Sequence, residues 1–190
     1  MARPGRLEAV PVEIRVKYPL NLPIYLRCFQ TMSGALIDIV ENLTRQSVEN
    51  VFTQMLGMTM LSDGGEPLAA EPCGQIVGSV GFAGQANGIV YLYSGFGFAK
   101  VVTGQMLGIS EADGIEDEMV KDAIGELSNM VVGNIKSRLC DTGWECTLTI
   151  PSILRGEQIA ISGTGTSKKK ILGFRNQVHR MLAHVVIKEV

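Results

Sequence analysis

Histidine is nearly absent from this chain. His179 and His184 are the only two, and their spacing of five suits neither a strand face nor a helix face. The four cysteines, Cys28, Cys73, Cys140 and Cys146, form no CxxC pair. A bound metal such as zinc is therefore not expected, and reduced thiols are. Positive charge is not in surplus either. Seventeen Lys and Arg stand against nineteen Asp and Glu, for a net charge of −2 and a pI near 5.7. A nucleic-acid partner needs a basic face for phosphate contacts, so that class is set aside. No apolar run approaches the roughly 18 residues of a membrane span, and the N-terminus has no uninterrupted apolar core of a signal peptide. The protein is expected to be soluble and cytoplasmic, with no membrane partner. Nucleotide and hydrolase motifs are missing as well. Ser94-Gly95-Phe96-Gly97 lacks a third glycine and a βαβ setting. Gly163-Thr164-Gly165-Thr166-Ser167-Lys168 has the wrong spacing for a Walker loop, and no G-x-S-x-G elbow occurs.

What is present is enough apolar residue for a real core. The 190 residues are 46% hydrophobic and 19% charged, which fits one ordinary domain. Residues 1–31 differ from the rest. They hold four of the seven prolines and no clean period, and read as a partly disordered or weakly attached extension. Met32 precedes a well-patterned helix, so a start there stays open, and residues 32–190 form the domain. Leu36, Ile39, Val40, Leu43, Val48, Val51, Phe52 and Met55 recur at helical spacing, which predicts a helix over 35–56 ending at Gly57. Residues 62–74 read as a loop. Strands are predicted over 76–82 and 89–93, then a helix over 96–107 ending at Gly108. The two helix ends, Gln54-Met55-Leu56-Gly57-Met58 and Gln105-Met106-Leu107-Gly108-Ile109, fit two copies of one capping solution or a weak repeat. Asp113 and Glu116 have capping-box spacing and open a helix over 114–140. Strands follow over 146–150, 158–162, 171–175 and 181–188, and Lys168-Lys169-Lys170 reads as a solvated loop. Trp144 reads as a packing residue. The expected fold class is α+β, a largely antiparallel sheet with three helices packed on it.

The long helix carries the functional signal. At about 100° per residue, Val120, Ala123, Ile124, Leu127, Val131 and Ile135 fall within an arc about 120° wide. Asp122, Glu126, Asn129, Gly133 and Lys136 share the opposite stripe, within about 80° of one another. A polar helix face is ordinarily only solvated. Asn129 and Gly133, however, are poor helix formers that cost roughly 0.5–1 kcal/mol each against alanine, and Gly125 adds a third. Local cost of that kind is expected where function is served. Gly133 lies one turn beyond Asn129, and its missing side chain would let a partner surface approach.

Asp122-xxx-Glu126-xx-Asn129, within Ala123-Ile124-Gly125-Glu126-Leu127-Ser128-Asn129-Met130-Val131-Val132-Gly133-Asn134, resembles the signature helix of the CheC/CheX/FliY chemotaxis phosphatases. That signature ends in a proline some twenty residues on, and Pro151 stands 22 positions after Asn129. The resemblance covers about residues 33–190 and extends to the order of elements. No second Glu-xx-Asn pair occurs, which points to a CheX-like member rather than a CheC-like one.

The resemblance implies a protein aspartyl-phosphate phosphatase, a hydrolase acting on a phosphorylated CheY-like response regulator. In it Asn129 orients the attacking water and Glu126 forms a salt bridge with the regulator's lysine. Asp122 and Gly133 are candidate partner contacts; Asp122 is alternatively only favourable charge near the helix start. The resemblance implies no cofactor on this chain, with Mg²⁺ held by the partner regulator, and a homodimer joined edge to edge. The alternative is a non-catalytic module that binds a response regulator or a flagellar-switch component.

Overall fold

The computed structural model describes residues 36–68, 72–109, 114–161 and 167–188. The expected extension over 1–31 lies outside them. The first helix, α1 (Leu36–Leu56), runs where its period places it. Its inward face includes Ile37, Thr44 and Ser47, while Met55 is 61% exposed. The Thr44 hydroxyl donates to the Val40 carbonyl at 2.7 Å, so burying it leaves no orphan donor. Both matching helix ends are glycine caps. Gly57 and Gly108 take φ of +62° and +68°, a region a side chain disfavours. The Met58 N–H donates to Phe52 O at 3.0 Å and the Ile109 N–H to Gly104 O at 2.9 Å.

A short strand, β1 (Leu61–Asp63), follows and overlaps the start of the expected loop over 62–74. Next come β2 (Gln75–Gly84), β3 (Asn87–Gly95), α2 (Phe96–Leu107) and α3 (Asp117–Asp141). The long helix begins three residues later than expected. Glu116 is the N-cap itself and makes no side-chain cap bond, and Asp113 lies outside the described residues. Ile115 is buried just before Glu116. Asp117 and Glu118 then sit in the first turn, where the helix dipole favours negative charge.

The remaining strands are β4 (Cys146–Leu148), β5 (Ser152–Gly156), β6 (Lys168–Arg175) and β7 (Arg180–Lys188). Among the described residues the sheet has seven strands in the order β1-β6-β7-β3-β2-β4, with β5 also on β2, and every pairing is antiparallel. The strand expected over 158–162 is displaced: the chain pairs through 152–156, and residues 158–161 are not strand. Ile159 and Ile161 instead pack with Val77, Tyr93 and Leu182 on the sheet face away from the main core. The lysine run is also not a loop. It opens β6, where Lys170 reaches Glu41 at 2.9 Å and Asp38 at 3.3 Å on α1.

Alternate strand residues point into one apolar layer. Ile76, Val80 and Phe82 of β2, Val90 and Leu92 of β3, and Met181, Ala183, Val185 and Ile187 of β7 meet the three helices there. Trp144 packs against this layer, as its position after the long helix suggested.

Candidate functional site

Each side chain of the site stands on α3, so the packing of that helix sets its precision. All six residues of the expected inward arc are buried, and Leu139 extends the row by one turn. The buried surface is wider than the apolar pattern showed, because Gly125, Ser128 and Val132 are inside too. Gly78 makes the added contact possible. A Cβ on Gly78 of β2 would collide with the Ser128 hydroxyl and come within 3.1 Å of Ile124 Cγ2. The Ser128 hydroxyl is itself satisfied, donating to Ile124 O at 2.7 Å. Gly125 lies against the β5 side, where a Cβ would sit 3.9 Å from Pro151 and 3.8 Å from Ile153. Those are ordinary contact distances, so Gly125 faces the chain's own β5 side but the packing does not demand glycine there. A glycine inside the apolar run of β2 was the sequence signal for a close backbone approach there.

Both ends of the helix are tied down. Arg155 of β5 pairs with Asp117 in the first turn, and its guanidinium lies 3.7 Å from the centre of the Phe96 ring. Near the other end, Trp144 N–H donates to Leu139 O at 3.0 Å, and Arg138 reaches Gln46 on α1.

The outward stripe then presents its groups together. Asp122 and Glu126 are exposed, and Asn129, Gly133 and Lys136 are half-buried. Glu126 and Asn129 are one turn apart, neighbours on the helix surface. The side chains of Asp122, Glu126 and Asn129 make no hydrogen bond or ion pair with another described residue. By contrast, nearby Glu118 is paired with Lys121. A Cβ on Gly133 would meet nothing within 4 Å, so the fold itself does not require glycine there. The arrangement can accept a cation at a carboxylate while an amide offers both an acceptor oxygen and donor N–H groups.

Known proteins share this chain's sequence pattern and fold. The family model described as chemotaxis phosphatase CheX matches residues 76–175. The CheY-P phosphatase CheX of Thermotoga maritima is 32% identical over 95 residues; the match spans 50% of this chain and 60% of that protein. The crystal structure of chemotaxis protein CheX from Vibrio vulnificus superposes with a TM-score of 0.68 at 25% identity, over 78% of this chain and 96% of that one. The CheX of the Borrelia burgdorferi CheX–CheY–BeF3–Mg²⁺ complex shares the fold, with a TM-score of 0.64 at 23% identity over 79% and 98%. No helix among the described residues is long and apolar enough to cross a membrane. With the family match covering just over half of the residues, the chain belongs to the CheX family.

Proposed function

We propose that this chain accelerates hydrolysis of the aspartyl phosphate on a CheY-like response regulator, through Glu126 and Asn129. The observation that carries this is the pairing of those two side chains on the outward stripe of a helix pinned at both ends and along its length. The relative from Thermotoga maritima is a CheY-P phosphatase, and the Borrelia burgdorferi structure holds CheX with CheY, BeF3 and Mg²⁺.

An acyl phosphate is already activated, and its transfer passes through a loose transition state. Positioning and charge placement then supply most of the acceleration, and a strong base is not needed. The Asn129 carbonyl oxygen accepts a hydrogen bond from the attacking water and holds it in line, while its NH₂ donates to a neighbouring oxygen. Such ordering contributes several of the roughly 7–11 kcal/mol available to ideal positioning. Glu126 pairs with the regulator's lysine and sets the depth of entry. Asp122 adds to that acidic docking edge, and Gly133 leaves room for the regulator's backbone. The regulator carries its own Mg²⁺. A homodimer belongs to the same proposal, checked by sedimentation equilibrium.

The test is phosphate release from a panel of phosphorylated regulators of the same organism. At least one regulator should lose phosphate faster with the protein present. No acceleration on any of them would remove the proposal.

A further inference from the structure

A bulge in the sheet edge stands beside the signature helix. The register pairs Phe82 with Leu148 and, on the far side, Ser79 with Ser152. Thr149 lies opposite Gly81: its N–H donates to Gly81 O at 2.9 Å, and its hydroxyl accepts from the Gly81 N–H at 2.9 Å. Ile150 and Pro151 are therefore left facing Val80 alone, two residues against one. Proline has no N–H to return to the ladder, so the strand breaks there. Ser79 Oγ donates to Ser152 O at 3.2 Å where pairing resumes.

The result is a rigidly held apolar point. Ile150 is 85% exposed, the most exposed of the large apolar residues among those described. It adjoins Pro151, which lies against Gly125, the residue before Glu126. An isolated exposed isoleucine is ordinary on a surface. One flanked by Thr149 and Ser152, both bonded to β2, and joined through Pro151 to the segment of α3 that carries Glu126, belongs to a surface of mixed character.

We infer that Ile150 and Pro151 form the apolar half of the regulator-docking surface, whose acidic half is Asp122 and Glu126. This rests on the phosphatase reading and adds the partner's chemistry: a phosphorylated receiver surface on which a cation lies beside an apolar patch. Charge complementarity selects that occupant, because Asp122 and Glu126 ask for a cation and the exposed bulge for an apolar neighbour. The bulge sets affinity and choice of regulator, while Asn129 sets the chemical step.

The experiment compares wild type, Ile150→Ser and Val178→Ser. Val178 is 80% exposed on the β6–β7 turn, away from the β4–β5 edge, and serves as the equally exposed control. Affinity for a regulator loaded with beryllofluoride and Mg²⁺ is measured by calorimetry, and steady-state phosphate release gives kcat and KM. Ile150→Ser should raise Kd and KM about tenfold or more, with kcat and thermal melting unchanged. Val178→Ser should match wild type throughout. Wild-type Kd in Ile150→Ser, with wild type itself active, overturns the inference and leaves the phosphatase reading standing. A wild type that neither binds nor dephosphorylates any regulator removes both.

Discussion

Gly78 and Ser128 bring the signature helix and the sheet into close contact: a Cβ at Gly78 would occupy the space of the Ser128 hydroxyl. Ser128 precedes Asn129, so this contact fixes the height of the proposed catalytic amide above the sheet. Gly78→Ala forces the helix outward or overpacks the site, at a cost of about 1–3 kcal/mol. Urea unfolding should show that loss, and phosphate release should fall further than the stability change alone accounts for. Ser128→Ala in the same chain removes only the hydroxyl and should recover part of the stability, since Ile124 O still lies 3.2 Å from the new Cβ.

Gly133 should separate stability from function. It is a helix-interior glycine with open space where a side chain would stand. Gly133→Ala is expected to raise stability by about 0.5–1 kcal/mol through helix propensity. Gly133→Leu should keep the fold yet raise KM for the phosphorylated regulator, because the added side chain stands where the partner's backbone comes close. Equal KM in wild type and Gly133→Leu would show that nothing approaches there.

Stability should carry a histidine-dependent slope below neutrality. Burial, and then the Lys169 charge, lower the His184 pKa from 6.5. Above that value the imidazole is neutral in both folded and unfolded chains. As pH falls below it, the unfolded chain takes up the proton first, so folding stability declines. His184→Gln should flatten that decline between pH 7 and 5.5 in urea midpoints. An identical slope in the variant would assign it to other groups.

Glu126→Gln tests the proposed lysine contact. The exchange preserves shape and removes charge, so KM should rise about tenfold or more, and the ionic-strength dependence of KM should weaken. A variant whose KM keeps the wild-type salt dependence would show that Glu126 meets no cation.

The long helix was legible from sequence because its period and its misfit residues agree. Six apolar positions fix the inward arc, and Asn129 and Gly133 mark the outward stripe at a cost in propensity. What sequence alone could not show was set by long-range packing. Gly78 looks like a weak point until β2 is placed against α3. The strand at 152–156 was hidden because Pro151 reads as a turn and because Ile159 and Ile161 look like strand while they cover the sheet's other face. The three residues of β1 are too few for a period, and the lysines that open β6 read as loop until β7 is paired beside them. α3 starts at Asp117 rather than 114, with Ile115 buried just before its N-cap Glu116.

The most direct test is single-turnover dephosphorylation of a phosphorylated regulator by Asn129→Ala. The residue is half-buried with no hydrogen bond to another described side chain, so the variant should fold and melt as wild type. It should still bind the beryllofluoride-loaded regulator while the accelerated rate falls to the regulator's own. A folded Asn129→Ala protein that strips phosphate at the wild-type rate would contradict the assignment.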